Sequence, residues 1–186
     1  MMFKKYIALA TCTILTAFLF NTAFAVEKDK VPKEKQTSLG LYLTAKEANL
    51  YVKTYGDKAL FVDIRDPAEL QTVGMPTNVD FNVPFKRINL GKWDVKKGQF
   101  ALDTNKNFAS EVEAKMKTKG LTTNDTLIVI CGSGKRAAKA VDFLAKNGYT
   151  KVYSVVDGYK AWQKDGLPWS KEMDVTKMYG NPVVPK

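Results

Sequence analysis

"TLIVICGSGKRAAKAVDFLAKNG", residues 126–148, decides the fold. Residues 126–131 are apolar without alternation, as in a strand covered on both faces. Gly132 and Gly134 then break the run, and a helical pattern over 137–147 ends at Gly148. A strand feeding a helix through a short loop is the unit of an α/β sheet. In such a sheet, ligands bind where strand C-termini meet helix N-termini. Cys131 stands at that junction.

The same grammar recurs on either side. "ALFVDI" (59–64) is a second buried-strand run, and "RDPAEL" follows it. There Asp66 can cap a helix, Pro67 suits its first position, and Glu69 favours its positive end. Thr44 and Glu47 form a capping box ahead of a helix that stops at Gly56. Phe108, Val112 and Met116 recur every four residues in a helix over 107–119, closed by Gly120. "KVYSVV" (151–156) and "VDFNVPF" (79–85) read as further strands, and "GYKAWQKDG" (158–166) as a helical turn or two. "INLGKWDVKKGQFALD" (88–103) carries turn signals at Leu90-Gly91 and Lys97-Gly98, which suggest a hairpin excursion. The pattern predicts an α/β domain with a mainly parallel central sheet flanked by helices on both faces.

Residues 39–168 hold this pattern. Before them, Lys4 and Lys5, an apolar run over 6–20 and "AFA" at 23–25 predict a signal peptide over 1–25. An uncleaved anchor is the competing reading. A lipoprotein at Cys12 is excluded because Thr11 precedes it. Export, to the periplasm, is the expected destination, with no membrane attachment after cleavage. Residues 26–38 are charged and nearly free of apolar side chains, the composition of a flexible leader. The tail, 169–186, is expected to pack on the surface or stay mobile.

Cleavage after Ala25 leaves 27 basic and 19 acidic residues, a net charge of +8. This favours anionic partners, but scattered lysines on an exported chain argue against nucleic acid. The chain contains no histidine, which excludes His-based zinc sites, Ser–His–Asp triads and Cys–His pairs. Of its two cysteines only Cys131 survives cleavage, so no internal disulfide can form.

The loop therefore has to activate its cysteine without a base. Amides of residues 132–136 directed at the sulfur, a helix N-terminus near Ala137, and the charges of Lys135 and Arg136 would each favour thiolate over thiol. An inert buried cysteine would account for Cys131 but not for Gly132, Gly134, Lys135 and Arg136 around it. A phosphate loop of Walker type needs Gly at Val129 and Ser or Thr at Arg136. A dinucleotide fingerprint could use Gly132, Gly134, Ala137 and Asp157, yet only 29 residues follow Asp157. A cysteine phosphatase or arsenate reductase loop would place five residues between Cys and Arg, where this chain has four.

With these residues in view, "CGSGKRAAKAVDFLAKNGYTKVYSVVDGYKAWQKDGLP" (131–168) resembles the C-terminal half of a single-domain rhodanese, the thiosulfate sulfurtransferase family. "ALFVDIRDPAEL" resembles the family's earlier strand–turn signature, and "MPTNVDFNVPF" (75–85) its continuation. The resemblance implies a sulfurtransferase in which Cys131 carries a persulfide, cradled by Gly132, Ser133, Gly134, Lys135 and Arg136. It implies an anionic sulfur donor of thiosulfate type and a thiophilic acceptor such as cyanide, a small thiol or a protein thiol. It implies no metal and no cofactor. Lys135 and Arg136 would bind the donor. Asp63 and Arg65 match the strand-end signature, with a supporting role below the loop. A non-catalytic sulfur carrier or protein-docking module is the alternative function. Departures from the family pattern are "VGMPTN" (73–78), Asp157-Gly158 in place of two glycines, and a longer insertion around Trp93. Trp93 and Trp162 are candidates for the mouth of the site or for the core.

Overall fold

The computed structural model of the protein describes residues 26–180; the signal-peptide reading of 1–25 and the last six residues of the tail lie outside the described residues. In chain order the domain runs β1 (Tyr42–Leu43), α1 (Ala45–Tyr55), β2 (Ala59–Asp63), α2 (Pro67–Val73), β3 (Met75–Pro76) and β4 (Phe81–Asn82). It continues with β5 (Lys86–Asp94), β6 (Gln99–Thr104), α3 (Phe108–Thr118), β7 (Thr126–Ile130), α4 (Lys135–Lys146), β8 (Val152–Val155), α5 (Gly158–Lys164) and β9 (Trp169–Ser170).

Five strands form a parallel central sheet in the order β1-β8-β7-β2-β4. Its axis is the ladder between β2 and β7, in register from Ala59 opposite Thr126 to Asp63 opposite Ile130. Side chains of a strand alternate between faces, and the two cores follow that alternation. Leu60, Val62, Leu127 and Val129 join Phe108, Val112 and Met116 of α3 and Ala140, Val141 and Leu144 of α4. Phe61, Ile128 and Ile130 join Ala48 of α1, Leu70 of α2 and Trp162 of α5 on the other face. The unbroken apolar runs in the sequence have this origin: every residue of β2 is buried.

Local signals set the helix starts. The Thr44 hydroxyl accepts the Glu47 amide at 3.2 Å, and Glu47 Oε2 accepts the Thr44 amide at 2.7 Å. Asp66 and Glu69 repeat that reciprocal capping at α2, with Pro67 in its first turn. The helix expected near Ala137 begins two residues earlier, at Lys135, because Gly134 makes the turn at φ +86.

Residues 86–104 are a hairpin apart from the main sheet. Its register jumps between Asn89 and Trp93, so Leu90, Gly91 and Lys92 bulge out of β5. The bulge sets Trp93 edge-on against Phe100 at 5.1 Å.

The charged segment 26–38, read from composition as flexible, is seated on the domain. Val31 is buried beside Tyr42 and Val156, Lys35 Nζ reaches Asp157 Oδ1 at 2.8 Å, and both the Ser38 amide and hydroxyl donate to Asp142. A few polar anchors spaced along the segment do what its scarce apolar residues could not. In the tail, β9 pairs antiparallel with β3, and the Tyr179 hydroxyl donates to Glu111 at 3.0 Å.

At the end of β2 lies a fully buried ion pair. Arg65 Nη2 reaches Asp63 Oδ2 at 2.6 Å and Arg65 Nε reaches Asp63 Oδ1 at 3.0 Å, with both side chains 0 % exposed. Arg65 also donates to the Gly74 carbonyl at 2.9 Å and lies over the Tyr159 ring at 4.4 Å. Removing one member of such a pair strands the other charge in a medium that cannot solvate it. Asp63→Asn should therefore destabilise the fold by about 3–5 kcal/mol, read as a lowered midpoint in urea unfolding.

Candidate functional site

Cys131 follows β7 directly and sits at the floor of the loop 131–136, with 1 % of its surface exposed. Because β2 and β7 end flush, Ile64 continues the ladder by donating to the Ile130 carbonyl at 2.9 Å. The Asp63–Arg65 pair therefore lies beside the cysteine strand. Gly132 and Ser133 are half-buried, Gly134 is buried, and Lys135 is exposed.

The sulfur has one defined donor: the Ala137 amide, 3.4 Å from Sγ. Ala137 lies one residue past the set expected from sequence. It is the third residue of α4, so its N–H belongs to the helix's unsatisfied first turn. Among the described residues, the amides of 132–136 find no acceptor within the protein. The buried sulfur thus lies at the N-terminus of α4, a position that suits an anion.

Close packing shapes this loop from behind. A Cβ on Gly134 would collide with the Val156 carbonyl, and one on Gly158 with the Cys131 carbonyl. Both residues hold positive φ, +86 and +62. The Tyr159 amide donates to the Cys131 carbonyl at 2.8 Å and fixes the strand end against α5. Gly158 is thus a structural member of the site, although in the sequence it stood out only as part of the Asp157-Gly158 departure. Lys35 packs its aliphatic stem against Gly134 before pairing with Asp157.

The two cations expected to face the sulfur do different things. Arg136 forms a two-pronged pair with Glu69, Nη1 to Oε2 at 2.6 Å and Nη2 to Oε1 at 2.5 Å. Glu69 Oε2 also accepts the Asp66 amide at 3.0 Å, so one carboxylate caps α2 and holds the cysteine loop. Burial pushes the Glu69 carboxyl up, but the Arg136 bonds and charge, with help from the Asp66 amide and Arg65, outweigh it and leave it below its ordinary 4.5. Burial likewise disfavours the Arg136 charge, and Glu69 outweighs it, with Cys131 adding in the same direction. Arg136 is therefore a loop clamp whose charge is matched. Lys135, at the rim, is 60 % exposed and pairs loosely with Glu34 at 3.6 Å.

Trp162 belongs to the core, where it packs on Phe61 at 5.6 Å. Trp93 is on the outer hairpin and 54 % exposed. Among the described residues, no group of three or more acidic or cysteine side chains is placed to hold a metal ion.

Comparisons with known proteins agree with this fold. The sequence profile of the rhodanese-like domain matches residues 44–165. Thiosulfate sulfurtransferase 16, a chloroplastic protein of Arabidopsis thaliana, is 32% identical over 108 residues, which is 58% of this chain and 77% of that protein. An uncharacterised protein of Rickettsia conorii is 29% identical over 119 residues, 61% of this chain and 84% of the relative. Among solved structures, a protein of M. tuberculosis superposes with a TM-score of 0.51 at 24% identity, covering 69% of this chain and 96% of the other, a likeness of fold.

The clamp gives the site a pH signature. A carboxyl held below its unfolded value contributes stability that is present above about pH 4.5 and lost as pH falls through the folded value. Urea midpoints of wild type and Glu69→Gln should therefore differ at neutral pH and converge on acidification below that value.

Proposed function

The chain belongs to the rhodanese-like domain family, and from that premise we propose that it is a sulfurtransferase working through a persulfide on Cys131. It would act in the periplasm once residues 1–25 are removed. The observation that carries this reading is the buried sulfur of Cys131, hydrogen-bonded to the Ala137 amide below a loop whose 132–136 amides have no acceptor among the described residues.

The cycle has two displacements. The Cys131 thiolate attacks the outer sulfur of thiosulfate; a new S–S bond forms, the old one breaks, and its electron pair departs on sulfite. The terminal sulfur of the resulting persulfide is anionic, and the amides of Gly132 to Arg136 would receive it. An acceptor nucleophile then attacks that sulfur and the electron pair returns to Cys131. With Arg136 matched by Glu69, the donor's negative charge falls to the main-chain amides and to Lys135 at the rim. The four-residue spacing between Cys131 and Arg136 gives a smaller cradle than a phosphoryl group needs.

Incubation with thiosulfate should add one sulfur, about 32 Da, to the intact protein. Cyanide should remove it, and Cys131→Ser should never acquire it. Repeated thiocyanate turnover identifies an enzyme, whereas a single equivalent identifies a carrier. A protein that never gains the mass refutes both.

A further inference from the structure

Beside the cysteine loop runs a groove of about 630 Å³, between the β5–β6 hairpin and the first turns of α4. Six lysines line it: Lys86, Lys92, Lys96, Lys97, Lys135 and Lys139. Its acids are Asp94 and Asp103. Asp94 is held by Lys97 at 2.6 Å, and Asp103 accepts a bond from the Asn89 amide group at 2.7 Å. Lys86, Lys92, Lys96 and Lys139 have no acidic partner among the described residues. Four unmatched cations therefore face one channel.

The hairpin also carries Leu90, Trp93, Val95 and Phe100, four of the seven large apolar side chains exposed among the described residues. Beneath Trp93 and Phe100 a notch of about 280 Å³ opens, floored by Ile88 and Leu102 and reaching Glu69 of the clamp. Lys135 and Arg136, part of the cysteine loop itself, form the near wall of the groove.

We propose that this groove docks an acidic polypeptide segment with interspersed apolar residues, and that such a segment delivers the thiol that accepts sulfur from Cys131. The charge, the apolar notch and the length select this occupant over a small anion. β6, the unbulged strand of the hairpin, is six residues long, so at ~3.3 Å per residue the cationic wall extends roughly 20 Å, well beyond the reach of a molecule the size of thiosulfate. The transfer step balances without another reagent: the docked thiolate bonds to the terminal sulfur, the persulfide S–S bond breaks, and its electron pair stays on Cys131. The role as acceptor rests on the sulfurtransferase reading; the docking does not.

The test separates the two. Fluorescence anisotropy follows a labelled peptide of about 12 residues, long enough to span the groove, with Asp and Glu alternating with Leu around a central Ser. A second peptide replaces the acids with Asn and Gln. At low ionic strength the acidic peptide should bind at least about tenfold tighter than its amide counterpart, a preference that about 0.5 M salt erases. Lys92→Glu with Lys96→Glu should weaken it about tenfold, and Trp93→Ala should weaken both peptides. Lys53→Glu with Lys58→Glu, the same charge change at the other end of β2, should leave binding nearly intact. Equal affinity for the two peptides, or equal loss in both double variants, overturns the proposal. Thiosulfate loading of Cys131, read by mass, should be unchanged in the hairpin variants. If loading fails in wild type while the charge-selective binding persists, the sulfurtransferase reading falls and the docking surface stands. If loading succeeds, a Cys-for-Ser version of the acidic peptide should discharge the persulfide faster than its amide counterpart does; equal rates overturn the acceptor role.

Discussion

The parallel register of β2 and β7 is the constraint on which everything else depends. Each residue of β2 faces the residue 67 positions later, from Ala59 and Thr126 to Asp63 and Ile130. The offset does not stop with the strands: Glu69 and Arg136 are also 67 residues apart, and they clasp. Two strand–turn–helix units thus lie side by side in step. One supplies a carboxylate at the start of its helix and the other a guanidinium at the start of its own. A slip of one residue would turn Leu60 and Val62 toward the wrong core and would also part the clasp.

Electrostatic accounting around the sulfur follows from this. The two arginines nearest the strand ends are both matched, Arg65 by Asp63 and Arg136 by Glu69. Matched charges contribute rigidity more than field. What donates to Sγ is the main chain at Ala137, whose amide cannot reorient without unwinding the first turn of α4. The chain has no histidine to set beside the sulfur. The exposed lysines lie outside, on the hairpin and at the rim.

The sequence was a good guide wherever the determining forces are local or periodic. Unbroken apolar runs gave the sheet, and the Thr44 capping box and the Asp66 cap gave helix starts that the structure reproduces. It was a poor guide wherever distant residues meet. Nothing near Arg136 announces that its partner is Glu69, which served only as a favourable first-turn acid until the register was known. The contacts of residues 26–38 were hidden for a similar reason: Lys35 with Asp157 and Ser38 with Asp142 are each more than a hundred residues apart. Composition sees charge there and no core, while the fold supplies acceptors one by one. Gly158 was visible only as a deviation, since close approach to the Cys131 carbonyl leaves no trace in spacing.

The depth of Cys131 has an implication of its own. Its sulfur is almost wholly enclosed, and a disulfide-type bond adds about 2 Å of reach. In the proposed cycle the bare atom is sheltered below the surface, and only the atom it has picked up is offered outward. Concealment when idle and display when loaded would then follow from the length of one covalent bond, with no moving gate.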